Sequence, residues 1–181
     1  MAERNVDLSA SAEADNIEDM YLTFEVQKEA YAVSIGCVTE IVGMQGISEI
    51  PDVPAYIKGA MNLRGKVIPV MDLRMRFRLP SRDYDDRTTI IVLDLAGVPT
   101  GLVVDRVTDV LTIPKGSIDP PPYWLSQGEK GVVQGLGKLN KSVSIILDVP
   151  YLLQSKEARL DLPVTAEQAK TPAGASASQT V

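Results

Sequence analysis

Apolar residues recur at every second position in short runs broken by turn residues, and this period of two constrains the chain more than any other feature. Leu22, Phe24 and Val26 alternate with Tyr21, Thr23 and Glu25, and Tyr31, Val33 and Ile35 with Ala30, Ala32 and Ser34. The same spacing returns at Ile91, Leu93 and Leu95 and at Val143, Ile145 and Leu147. Successive side chains of a strand point to opposite faces, so such runs read as half-buried strands. Gln27-Lys28-Glu29, Arg64-Gly65-Lys66 and Ala96-Gly97-Val98 have the composition of tight hairpin connections. Pro69 lacks a backbone donor, which points to an edge position for its strand. Sustained helical periodicity is scarce. Many short strands separated by turns predict an all-β barrel or sandwich with only short helices.

The alternation is also duplicated. Displacing residues 24–41 by 69 positions aligns Phe24 with Leu93, Glu25 with Asp94, Val33 with Leu102 and Val38-Thr39-Glu40-Ile41 with Val107-Thr108-Asp109-Val110. A displacement of 76 aligns Val67–Leu73 with Val143–Val149. Two β modules of about 70 residues follow, about 20–87 and about 88–153, free to interleave. Each alone is near the lower limit for an independent core, so the two should share an interface, with a binding groove between them.

Composition removes most catalytic chemistry. The 181 residues contain no histidine and a single cysteine, Cys37. Imidazole bases, histidine metal ligands, phospho-accepting histidine and internal disulfides are therefore absent. A net charge of −6 argues against nucleic-acid binding through overall charge. No window approaches the ~18 apolar residues of a membrane span. The acidic start does not read as a signal peptide, and a cytoplasmic location is expected. Residues 1–18 and 156–181 are rich in Ala, Ser and other small or polar residues and read as flexible tails around a folded region of 19–155.

Several motifs that look chemical have structural readings. Asp72 and Asp148 each end a strand before a short apolar stretch, the place of a helix N-cap. Gly135–Ser142 lacks the Gly-Lys-Ser/Thr order of a phosphate loop and leads into a strand. Asp83-Tyr84-Asp85-Asp86 lacks the Gly and closing Glu of a calcium loop and reads as a solvated linker. Two alternatives of other classes stay open on residues alone. One is a small β-barrel enzyme using Asp and Lys, which requires a deep polar pocket. The other is a ligand- or nucleic-acid-binding barrel, which requires a basic, aromatic-lined face.

Three features point to recognition. Asn62-Leu63-Arg64-Gly65 places an arginine at a hairpin tip, Val38-Thr39-Glu40-Ile41 places a carboxylate among apolar neighbours, and Pro120-Pro121-Pro122-Tyr123-Trp124 holds the single tryptophan on a stiff segment. The run Ile57–Arg74, with Asn-Leu-Arg-Gly followed by Pro-Val-Met-Asp-Leu, closely resembles the signature of the CheW family of chemotaxis coupling proteins. Gly101–Asp105, Val107–Val110 and Gly135–Gly137 extend the resemblance to about Met20–Leu153. The resemblance implies two five-stranded SH3-like barrels packed around a shared core, no enzymatic activity and no cofactor. It also implies a non-catalytic adaptor, recruited to membrane-bound arrays without inserting, that couples chemoreceptor cytoplasmic tips to the regulatory domain of a CheA-type histidine kinase. Other CheW-like chains are left open as ring neighbours, and so is a non-flagellar pathway. Carried over by motif, receptor binding falls to Val38, Glu40, Gly59, Asn62, Arg64, Val107 and Val110. Gly59 would let the receptor backbone approach closely. Kinase binding falls to Pro122, Tyr123 and Trp124, the last in a place where the family often has Phe.

Overall fold

The computed structural model describes residues 17–123, 131–139 and 142–154. Of the expected tails only Ile17 and Glu18 fall within these, and Trp124 lies outside them. Along the chain run β1 (Met20–Val26), β2 (Glu29–Ser34), β3 (Val38–Gly43), β4 (Ile57–Leu63) and β5 (Lys66–Asp72), then the short helix α1 (Leu73–Arg76). The second half repeats the series with β6 (Thr89–Leu95), β7 (Val98–Val104), β8 (Arg106–Thr112), the two-residue β9 (Ile118–Asp119), β10 (Val133–Leu139), β11 (Ser142–Leu147) and α2 (Val149–Gln154).

The turns form where the sequence places them. Gln27 and Lys28, Arg64 and Gly65, and Ala96 and Gly97 all have positive φ, the two-residue geometry that matches the strand twist. Asn62 Oδ1 accepts the Gly65 N–H at 2.8 Å, and Asp94 Oδ1 accepts the Gly97 N–H at 2.8 Å, pinning two of these tips alike. Asp72 and Asp148 are helix caps: Asp72 Oδ1 accepts the Met75 N–H at 3.2 Å and Asp148 Oδ1 the Tyr151 N–H at 2.8 Å.

The strands form two sheets, ordered β8-β1-β2-β11-β10-β9 and β3-β6-β7-β5-β4. The division does not fall at residue 88. The first two strands of each half join the remaining strands of the other half, so the repeats exchange strands reciprocally. The registers obey the repeat. Leu22 faces Val110, and Ile91, its repeat mate, faces Ile41, the mate of Val110. The parallel pairs Ile146↔Ala32 and Val70↔Gly101 are related in the same way.

Period two then explains the core, because the central strands β1 and β6 each serve two interiors. Ile91 and Leu93 of β6 join Leu22, Phe24 and Val26 of β1 in a cluster fed by both sheets, with Met71, Leu73, Leu147 and Leu152. Ile90 and Val92, on the other face of β6, join Met61, Ile68, Val70 and Val103 inside the five-stranded sheet. Tyr21, Ala32, Ile113 and Ile146 fill the six-stranded one. The shared core couples the two sheets, as expected of two modules too small to stand alone.

One expectation is corrected. Pro69 does not lie on an edge strand, because β5 is interior, between β4 and β7. Ala60, opposite Pro69, exchanges its N–H and C=O with Ser48 at 2.9 and 2.8 Å, so its polar groups face away from β5. The missing proline donor therefore points away from β4, to a side where pairing with β7 begins only at Val70.

Candidate recognition surface

Glu40 lies on β3, one of the two terminal strands of the five-stranded sheet, and Arg64 at the β4–β5 tip. Arg64 Nη2 donates to Glu40 Oε1 at 2.7 Å, with the arginine side chain 79% exposed and the glutamate 26%. Asn62 closes the turn beneath them through its bond to Gly65. Glu40 therefore holds the guanidinium over the tip in one orientation, with much of its donor fork directed to solvent. An exposed pair contributes only about 0.2–1 kcal/mol to stability. The arrangement presents a group far more than it strengthens the fold.

Val38 and Val107, repeat mates on the outer strands of the two sheets, both pack half-buried against the shared core. Val110 stands exposed on β8, as does its repeat mate Ile41 on β3. The structure thus brings Glu40, Asn62 and Arg64 together at one tip, while Val38 and Val107 each pack separately against the shared core from different sheets. The repeat correspondence thus extends to exposure, which residue type alone does not mark at Ile41. Pro122 is half-buried and Tyr123 exposed, while Trp124 lies outside the described residues.

Gly59 is required within the fold itself. Its φ is +139°, and a Cβ built there would lie 2.0 Å from the Ser48 carbonyl oxygen. The backbone that approaches is the chain's own, in the Ser48–Ala60 bridge, so a side chain would first strike Ser48.

The carboxylates with a chemical look are occupied. Asp72 caps α1 and also accepts the Tyr84 hydroxyl at 2.7 Å. Burial, then the Asp72 bond, raises the Tyr84 phenol well above its ordinary value. Asp85 organises a turn by accepting the Arg87 and Thr88 N–H groups at 3.0 and 3.1 Å. Asp105 takes both Arg74 Nε and Nη2, at 2.7 and 2.6 Å, and the Gln27 N–H at 2.9 Å. Burial pushes its carboxyl up, but the Arg74 bond, the Gln27 N–H and the Arg74 and Arg82 charges outweigh that and hold it below the usual range. Among the described residues no three His, Cys, Asp or Glu side chains converge as metal ligands, and no helix is long and apolar enough to cross a membrane.

Residues 20–157 match the family model described as the CheW-like domain. The chemotaxis protein CheW of Klebsiella aerogenes is 35% identical over 146 residues, covering 81% of this chain and 88% of that protein. That of Bacillus subtilis is 31% identical over 142 residues, covering 78% and 91%. Among solved structures, the scaffolding protein TtCheW from Thermoanaerobacter tengcongensis superposes with a TM-score of 0.71 at 34% identity, covering 77% of this chain and 95% of that one. The two sheets with their shared core are the two SH3-like barrels of this fold. A specific signature, a repeat obeyed in register and these matches lead to one assignment: the chain belongs to the CheW-like family of chemotaxis proteins.

Proposed function

We propose that this chain, a non-catalytic chemotaxis adaptor, joins the cytoplasmic tips of chemoreceptors to a CheA-type histidine kinase, and that Arg64, held by Glu40, is the orienting contact for the receptor. Family membership over residues 20–157 carries the adaptor function. The exposed, ion-paired Arg64 at the β4–β5 tip supports the site. Receptor tips are helical hairpins, and a helix in a shallow groove is held by a few aliphatic anchors with polar groups fixing its register. Val38, Val107 and Val110 supply the anchors. Arg64 and Asn62 supply the polar edge that fixes the register of the docked helix. Gly59 acts indirectly by holding the Ser48 segment beside β4. Pro122, Tyr123 and Trp124 supply the kinase-facing surface. Each contact is weak alone, and many copies beneath a receptor array raise the effective concentration without new contacts.

The test is capture of the chain by a receptor cytoplasmic fragment. Arg64→Ala and Glu40→Ala should each lower capture about tenfold, a coupling of about 1.4 kcal/mol, with the thermal melt almost unchanged. Undiminished capture, or a variant that melts early, would make the pair a structural feature.

A further inference from the structure

Away from the Arg64 tip, the β1–β2 turn, the start of β8, α1 and the segment leading to β6 enclose a cleft of about 440 Å³. Five of the chain's 18 cations line it: Lys28, Arg74, Arg82, Arg87 and Arg106. This convergence occurs in a chain whose net charge is −6. Two carboxylates, Glu25 and Asp105, line it as well, and Asp85 reaches Arg82 and Arg87 from outside. Asp72 also acts on Arg74 from outside the cleft, so five cations face four carboxylates, which leaves one positive charge in surplus.

The cations differ in how firmly they are held. Arg74 is committed, mostly buried and bidentate on Asp105. Arg106 pairs with Glu25 at 2.6 Å across β1 and β8 while 46% exposed. Arg87 touches Asp85 only at 3.6 Å and is 69% exposed. Lys28 has no ion-pair partner among the described residues. The exposed pairs contribute little and rearrange at little cost. A denser anion can therefore draw Arg82, Arg87, Arg106 and Lys28 inward, over the fixed Arg74–Asp105 floor.

The lining also indicates what kind of anion fits. None of the eight lining residues is apolar or aromatic; the eighth is Gln27. A protein segment docks through apolar anchors, and a nucleobase stacks on an aromatic or apolar wall. This cleft offers neither: its walls are the carbon stems of the charged side chains, and its polar groups include the planar donor forks that match phosphoryl oxygens. Its volume is in the range of small-ligand sites.

From this convergence we propose that the cleft is a binding site for a soluble small polyanion carrying linked phosphoryl groups. The assignment goes beyond the adaptor reading and does not depend on it. Isothermal titration of the full chain with inorganic tripolyphosphate, at matched ionic strength, tests it. The expected result is one site per chain, with affinity lowered at least tenfold by Lys28→Gln combined with Arg87→Gln and largely retained by Arg87→Lys. Both substituted side chains are surface groups, so the melt should hold. Should the double variant melt early, Lys28→Gln alone gives the readout, as a loss of about threefold. Absence of saturable heat, equal affinity in the variants, or hexaglutamate binding as tightly as tripolyphosphate would overturn the proposal, the last by identifying a surface for acidic peptide.

Discussion

Replacing Gly59 by alanine should destabilise the fold more than any other single methyl group added to its strands, and the cost is calculable. At φ +139° an L-residue is strained by about 1–3 kcal/mol. The new Cβ lies 2.0 Å from Ser48 O and 3.1 Å from the Glu49 Cα, both backbone, so the segment itself must retreat. Retreat breaks the two bridge bonds, Ser48 N–H to Ala60 O at 2.8 Å and Ala60 N–H to Ser48 O at 2.9 Å. Each is worth about 0.5–1.5 kcal/mol net. The total is about 2–6 kcal/mol, a large share of the 5–15 kcal/mol typical of a domain. The repeat provides the control. Gly135 occupies the equivalent bulge in β10, opposite Ile146 as Gly59 is opposite Val70. Its Cβ would meet the movable Ile118 Cγ2 at 2.6 Å and the Asp119 carbonyl at 2.9 Å, with no strained φ, so overpacking of about 1–3 kcal/mol is expected there. Urea unfolding followed by circular dichroism should rank Gly59→Ala below Gly135→Ala, and both below wild type. Hydrogen exchange in Gly59→Ala should accelerate first at Ser48 and Ala60. A Gly59→Ala protein within about 0.5 kcal/mol of wild type would refute the reasoning and return Gly59 to the receptor surface.

Other perturbations test separate parts of the account. Asp72→Ala should cost more than Asp148→Ala in denaturant unfolding. Each loses a helix cap worth about 0.5–2 kcal/mol, but Asp72 also leaves the partly buried Tyr84 hydroxyl without its acceptor; equal costs would contradict this. Asp105→Asn should destabilise the fold at neutral pH. Because the folded carboxyl titrates below its ordinary 3.8, this contribution is fully present above that value and fades as pH falls through the lower folded value. The gap between variant and wild type should therefore narrow below about pH 4 in pH-dependent unfolding, and a gap that persists or widens there would refute the Arg74–Asp105 account. Trp124→Ala should reduce co-purification of a CheA-type kinase at unchanged melting temperature, and a lowered melt with normal kinase binding would make Trp124 a packing residue.

Strands, tips and caps were legible because each depends on a local rule. Alternation marks Leu22, Phe24 and Val26 as one face, positive φ suits Arg64-Gly65, and Asp72 and Asp148 stand where a first turn needs an acceptor. The exchange of strands between the halves was not legible. Alternation specifies which face is buried and is silent on which strand lies alongside. Leu22 has Val33 of its own half on one side and Val110 of the other half on the other, and alternation names neither neighbour. Pro69 misled for a related reason: the rule against interior proline assumes ladders on both sides along the strand, and here the β7 ladder begins one residue later. At the recognition surface the residue types were visible, but the packing need for Gly59 was not, because Ser48, whose carbonyl oxygen it makes room for, carries no sequence mark. The cationic cleft was hidden because Lys28, Arg74, Arg87 and Arg106 are scattered in sequence and surrounded by acidic residues.

The adaptor claim is tested most directly by sedimenting a chemoreceptor cytoplasmic fragment assembled on vesicles with a CheA-type kinase, in the presence and absence of this chain. The account predicts that kinase pellets with receptor substantially only when the chain is added, and that Arg64→Ala releases both chain and kinase together. Kinase that pellets equally well without the chain, or a chain that neither reaches the receptor nor carries kinase with it, would contradict the account.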